Sequence, residues 1–127
     1  MEKFRFRNWE VYRDAKTLMG MILKIVKKLP QEYRFELSSQ IIRSGLSIVL
    51  NIAEGSGKTS EKELNRFLDI ALGSASETFA AIDVLLDNGF ISQSEFDELS
   101  KRLYSVSNQL GGFKKKINSH KSSVVSR

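Results

Sequence analysis

The chain reads as all-α, an antiparallel up-down-up-down four-helix bundle, and three observations predict it. One proline stands in 127 residues, runs of β-branched residues are few, and apolar side chains recur at steps of three and four through four stretches. Strands would show steps of two. This length suits one domain with a real core and is too short for two ordinary ones. The bundle is expected over residues 1–117, with a flexible basic tail at 118–127.

The first helix is expected from about Asn8 to Leu29, where Val11, Ala15, Leu18, Ile22, Ile25 and Leu29 alternate in steps of four and three before Pro30 stops it. A second apolar row, Tyr12, Met19, Leu23 and Val26, makes this face wider than one bundle stripe requires, which implies a further partner surface. The second helix is expected from about Phe35 to Glu54 and is apolar around most of its circumference. Its polar residues Gln40, Ser44, Ser47, Asn51 and Glu54 share one row, with Arg43 beside it. That row is either a solvent-facing stripe or a polar network buried between helices or subunits, which would fix register at some cost in stability.

The third helix opens at a capping box, Ser60 with Glu63, and runs through Leu64, Phe67, Leu68, Ala71, Ala75, Ile82 and Leu85 to a stop at Asn88-Gly89. Gly55 is expected to end the preceding helix in a left-handed conformation, and Ser56 to Thr59 to turn the chain. The small run Gly73-Ser-Ala-Ser76 would let a neighbouring helix come close. The fourth helix starts at a second capping box, Ser92 with Glu95, and Phe96, Leu99, Leu103, Val106, Leu110, Phe113 and Ile117 follow a strict three/four alternation. Beyond Ile117 the periodicity is lost, which predicts the tail.

The turn between the second and third helices, Asn51-Ile-Ala-Glu-Gly-Ser-Gly-Lys-Thr-Ser60, ends like a phosphate-binding P-loop. Gly57-Lys58-Thr59 fits the end of that motif, but its first glycine falls at Ile52, and a helix stands where a strand should feed the loop. A helix-to-helix corner accounts for the same residues. Catalysis has little else to build on. The only histidine, His120, lies in the expected tail, so neither a His-based triad nor a paired-His metal site can be assembled. Glu54 and Glu77 are the candidates for an inward carboxylate pair, and without a Glu-x-x-His motif they do not make a di-iron site. The expectation is a non-enzyme with no cofactor.

Zero cysteines exclude disulfides and thiolate metal sites, and the N-terminus lacks the apolar core of a signal peptide. The longest mostly apolar run, Leu18 to Val26, contains Lys24 and is far short of the roughly 20 residues of a membrane span. A cytoplasmic protein with no membrane partner is expected. Charge is distributed unevenly. Residues 1–36 hold nine Lys/Arg against five Asp/Glu, residues 37–100 four against ten, and residues 101–127 seven against none. In an up-down-up-down bundle the first and fourth helices are neighbours, so the basic ends come together. Arg13, Lys16, Lys24 and Lys27 on the first helix and Lys101, Arg102, Lys114, Lys115 and Lys116 on the fourth are the candidate nucleic-acid-binding residues.

The order Trp9-Glu-Val-Tyr12, Gln40-Ile-Ile-Arg43-Ser-Gly-Leu-Ser47-Ile, Asn51-Ile-Ala-Glu-Gly55 and Phe67-Leu-Asp-Ile-Ala71-Leu-Gly-Ser-Ala-Ser-Glu77 resembles the four-helix bundle proteins encoded within intervening sequences of 23S ribosomal RNA genes. The resemblance spans about residues 4–117, and relatives of that family include the accessory variability proteins of diversity-generating retroelements. It implies a ring-like homopentamer with a basic surface and, in the retroelement branch, nucleic-acid binding beside a reverse transcriptase. The family pattern falls here on Arg43, Ser47, Asn51, Glu54, Gly55, Ser74 and Glu77, as residues of fold and assembly. Ser44-Gly45 departs from the Ala-Ala or Arg-Ala usual in the family at that point.

The leading functional expectation is a homo-oligomeric bundle that binds RNA or DNA nonspecifically through the first and fourth helices, RNA being the favoured ligand. The alternative is a protein-interaction module that recruits a partner such as a reverse transcriptase without touching nucleic acid. A nucleotide-dependent enzyme acting through Lys58 is the third class.

Overall fold

The computed structural model describes the backbone of residues 2–125 and the side chains of residues 3–119. After a short 3-10 segment, Glu2–Asn8, come four helices: α1 Glu10–Val26, α2 Gln31–Ser56, α3 Glu61–Asp87 and α4 Gln93–Val125. Each packs against its chain neighbours and α4 closes against α1, whereas the diagonal pairs make no backbone approach among the described residues. That is the up-down-up-down bundle. No described helix is long and apolar enough to cross a membrane.

All four helices feed one core. Leu18 and Ile22 of α1, Ile41, Ile48 and Ile52 of α2, Leu68 and Ile82 of α3, and Leu99, Val106 and Leu110 of α4 are almost completely removed from solvent. Each such side chain contributes about 1.5–3 kcal/mol relative to leaving it exposed. Every member lies on the three/four spacing that marks its helix.

The helix ends differ from the sequence reading in informative ways. Pro30 sits at φ −55° and ψ 138° just ahead of α2, so this helix starts at Gln31, four residues before Phe35. Proline presets the entry angle and has no N–H to leave unpaired. Gly55 is not left-handed. It is helical and buried within α2, which runs to Ser56 and ends on Gly57 at φ −87°. Space, not backbone angle, requires glycine there: a Cβ on residue 55 would lie 2.9 Å from the Phe67 Cβ and 3.2 Å from the Leu64 Cδ1.

The left-handed stop is at Gly89, φ 71°. Phe90 N–H reaches Leu85 O at 2.9 Å and Gly89 N–H reaches Leu86 O at 3.0 Å, a Schellman pair that satisfies two carbonyls at the end of α3. Both capping boxes form, to different degrees. Glu95 N–H donates to Ser92 Oγ at 3.1 Å and Ser92 N–H to Glu95 Oε1 at 2.8 Å, the full reciprocal arrangement. At α3 only Glu63 N–H to Ser60 Oγ is made, at 3.1 Å, because the Glu63 carboxylate turns to accept from Arg66 Nε at 3.1 Å. That hydrogen bond, with the positive charges of Arg66, Lys58 and Lys62, holds the Glu63 carboxyl below the usual carboxylate range.

α4 continues to Val125, past the Ile117 boundary of the sequence reading. Ile117 is the last buried residue among those whose side chains are described, and the helical backbone continues beyond it, so the loss of apolar periodicity does not mark the end of helix. Asn118 and Ser119 are exposed, and neither Gly nor Pro follows in the sequence to interrupt the helix. Residues 126 and 127 lie outside the described residues.

Candidate nucleic-acid interface

α1 and α4 run antiparallel along one side of the bundle, pinned at three levels. Lys28, just beyond α1, pairs with Glu95. Asp14 accepts from Arg102 Nη1 at 3.2 Å and from Gln109 Nε2 at 2.7 Å. Trp9 packs on Phe113 with ring centroids 5.2 Å apart. Of the candidate lysines, Lys101 lies beside Met21 of α1 and Lys116 beside Trp9, whereas Lys27 lies beside the start of α2 and Lys115 beside Leu72 of α3.

Seven of the nine candidate cations are exposed: Arg13, Lys16, Lys24 and Lys27 on α1, and Lys101, Lys115 and Lys116 on α4. Lys16 Nζ lies 4.9 Å from the centroid of the Tyr12 ring. The other two are engaged within the fold. Arg102 pairs with Asp14, and Lys114 Nζ sits 2.6 Å from Asp69 Oδ1 and 3.1 Å from Asn65 Oδ1, tying α4 to α3. A cation matched by a carboxylate at that distance adds little to the field that an approaching polyanion meets. Exposed Arg5 and Arg7 extend the basic surface beyond the predicted set. Their signal in the sequence is the N-terminal charge surplus, with no helical row to assign them to.

Two shallow grooves lie along the α1/α4 seam. Trp9, Gln109, Gly112, Phe113 and Lys116 line one, and Met21, Lys101, Arg102 and Ser105 line the other. Glu10 and Glu98 border them and temper the positive potential. Lysines and arginines spread over a helical surface in this way suit contact with phosphates, which carries no sequence information by itself.

The family-pattern residues lie elsewhere, on the α2/α3 seam. Ser47 and Ser74 share a hydrogen bond of 2.7 Å between their hydroxyls, and Asn51 Nδ2 donates to Ser47 O at 2.8 Å and to Ser47 Oγ at 3.0 Å. The single Thr78 hydroxyl hydrogen is shared between Ser44 Oγ at 2.9 Å and Ser74 O at 2.8 Å, while Ser44 Oγ donates to Ile41 O at 3.2 Å. Arg43 and Glu77 form an ion pair at the outer edge. The polar row of α2 is thus a network between helices at Ser44, Ser47 and Asn51. Thr78, which sequence reasoning did not single out, completes it; its signal is a position one turn beyond Ser74 on the same face. Glu54 stands exposed outside the network, and Glu77 faces Arg43, so the two glutamates form no inward carboxylate pair.

The corner at residues 57–60 is not built as a phosphate cradle. Gly57 N–H donates to Glu54 O and Lys58 N–H to Gly55 O, both at 3.1 Å, which commits to the last turn of α2 the N–H groups a P-loop aims at its ligand. Lys58 Nζ lies 5.1 Å from the centroid of the Phe67 ring. Among the described residues no three His, Cys, Asp or Glu side chains gather as a metal site, and the His120 side chain lies outside them.

A family model described as 23S rRNA-intervening sequence protein matches residues 7–112. The crystal structure of a protein of unknown function from the S23 ribosomal protein family of Bacteroides thetaiotaomicron is similar over 83% of this chain and 98% of that one, with a TM-score of 0.77 and 26% sequence identity. Among curated proteins there is no match.

Proposed function

The chain belongs to the family of 23S rRNA-intervening sequence proteins, and from that premise we propose that it is a non-catalytic, self-associating bundle that binds nucleic acid, RNA first, through the basic side formed by α1, α4 and the N-terminal segment. The observation that carries this reading is the segregation of charge. Residues 1–29 hold eight Lys/Arg against three Asp/Glu, while residues 31–87, which span α2 and α3, hold five against nine. Such a molecule turns one side to a polyanion and the other away from it.

Binding of this kind releases counterions, so the affinity for a structured RNA should fall linearly in log–log form as salt rises. The measurement is a titration of that RNA across a salt series. A flat dependence, or no binding at low salt, would sink the proposal. Ring-like self-association, up to the homopentamer implied by the family resemblance, is the second part, and light scattering at micromolar concentration tests it. A monomer would contradict it.

A protein-recruiting role is favoured by a separate observation. Leu23, Phe35, Leu46 and Leu50 are exposed apolar side chains on α1 and α2. Reversing charge at Lys101, Lys115 and Lys116 separates the two roles, since nucleic-acid binding should be lost while capture of a protein partner, such as a reverse transcriptase, is unchanged.

A further inference from the structure

The corner between α1 and α2 holds an aromatic ring that the fold leaves unused. Phe35, in the second turn of α2, is 85% exposed, the most exposed large apolar side chain among the described residues. Every other described Phe, Tyr or Trp ring packs against a second ring or carries a cation, and Phe35 does neither. It stands in a shallow groove lined also by Val26, Lys27, Arg34 and Ile42, to which no carboxylate contributes. The neighbouring Glu32 and Glu36 line a different groove, with Tyr33 and Phe90. Arg34 donates to Leu29 O from Nε at 3.1 Å and from Nη2 at 3.0 Å, which fixes the guanidinium beside the end of α1 and leaves Nη1 for a ligand. Among the described residues neither Lys27 nor Arg34 has an ion-pair partner. Lys27 also extends the α1 row of exposed cations, one turn beyond Lys24. A free ring thus stands beside two unmatched positive charges where the basic row ends.

We propose that this corner binds single-stranded nucleic acid, with one unpaired base stacked on the Phe35 ring and the adjoining phosphates on Lys27 and Arg34. This contact rests on the nucleic-acid binding put forward above and adds the kind of strand it selects. Phosphate contact by itself gives a single strand no advantage, since a duplex carries its charge more densely. An aromatic face reverses that preference. A base reaches such a ring only when it is free of its own neighbours, as in a loop, a bulge or an unpaired end. Every base has a π-face to offer, so the contact tolerates any sequence, in keeping with the phosphate contacts of the remaining basic side. Charge complementarity selects the occupant. A nucleotide supplies a flat ring and an anion in one residue, which matches a free ring flanked by cations in a groove without carboxylates.

The test titrates the full chain against a labelled RNA of about 12 unpaired nucleotides, and against the same sequence as a blunt duplex, at one low salt concentration. Phe35→Leu keeps an apolar side chain at this exposed position and removes the aromatic face. It should weaken single-strand binding about tenfold, the loss of one base stack, and leave duplex binding within about twofold. Phe35→Trp should restore the parent affinity for the single strand. A 2-aminopurine in that strand should lose fluorescence on binding the parent chain and keep it with Phe35→Leu. Lys27→Gln should weaken binding of both RNAs, because it removes a charge and no ring. Single-strand affinity unchanged in Phe35→Leu would overturn the stacking contact, leave nucleic-acid binding standing and turn the groove over to a protein partner. Equal losses on single strand and duplex would overturn it as well, since they report a change in fold or assembly. A parent chain that binds neither RNA would sink this contact and the nucleic-acid reading together.

Discussion

Gly45 and Gly55 lie ten residues apart on α2, and the structure gives each a different neighbour. A Cβ at residue 55 would press on the Phe67 Cβ at 2.9 Å, an atom fixed to the α3 backbone, so one of the two helices must move. Gly55→Ala should therefore destabilise by about 1–3 kcal/mol, the usual cost of overpacking. A Cβ at residue 45 would meet the Ile22 Cδ1 at 2.7 Å and the Met19 Sδ at 3.1 Å, the free ends of side chains that can rotate away. Alanine also gains about 1 kcal/mol of helix propensity over glycine. Gly45→Ala should thus stay within about 1 kcal/mol of the parent by the same reckoning, and chemical denaturation of both variants will order them. Thr78→Val should cost about 1 kcal/mol, because it removes the one hydroxyl that bridges Ser44 and Ser74 while keeping the shape. At this scale the sequence marked Gly55 as special and misassigned the reason. Backbone angle can be guessed from residue type, but the distance to Phe67 exists only once α2 and α3 have packed.

The helices were legible wherever their ends carried local chemistry. Ser60, Ser92 and Asn88-Gly89 are boundaries that neighbouring residues establish by themselves, and the structure keeps all three. Which capping box is complete was not legible, since Arg66 competes for one glutamate and not for the other. Glu95→Ala should lower stability by about 1–2 kcal/mol, because it removes the side-chain half of the capping box and the pairing with Lys28. Glu63→Ala should cost less, because its side chain makes no capping bond and its pairing with Arg66 is exposed to solvent. Thermal unfolding of the two variants makes the comparison. The end of α4 follows a different logic. Deleting residues 119–127 should leave the denaturation midpoint unchanged, because Ile117 is the last buried residue described, and a loss of cooperativity on deletion would show that the final turns pack.

Over the whole molecule, charge separates into a basic α1/α4 side and an acidic α2/α3 side. Lys101→Glu, Lys115→Glu and Lys116→Glu combined should weaken RNA binding and flatten the log–log salt slope by about 0.7–0.9 for each phosphate that the protein no longer neutralises. Stability should hold, since all three are exposed. Arg102→Glu and Lys114→Glu should behave otherwise. Each places a carboxylate against Asp14 or Asp69 and should lower the unfolding temperature as well as affinity. Parallel binding and melting curves will separate the two groups. The split between them was invisible in the sequence, where all nine cations look alike.

What the sequence determined by itself is the fold: four amphipathic stretches with short corners bury their apolar rows in one way, as an antiparallel bundle. It also determined which helices carry basic charge and which residues bear the family pattern. The tertiary structure alone decided how those residues are used. Ser44, Ser47 and Asn51 became an interhelical network because Ser74 and Thr78 lie opposite them, and Arg102 and Lys114 became internal ties because Asp14 and Asp69 do. The physical reason is range. Helix periodicity and capping act over three or four neighbouring residues and are written along the chain, whereas these partnerships join residues 27 to 88 positions apart and exist only when the helices meet.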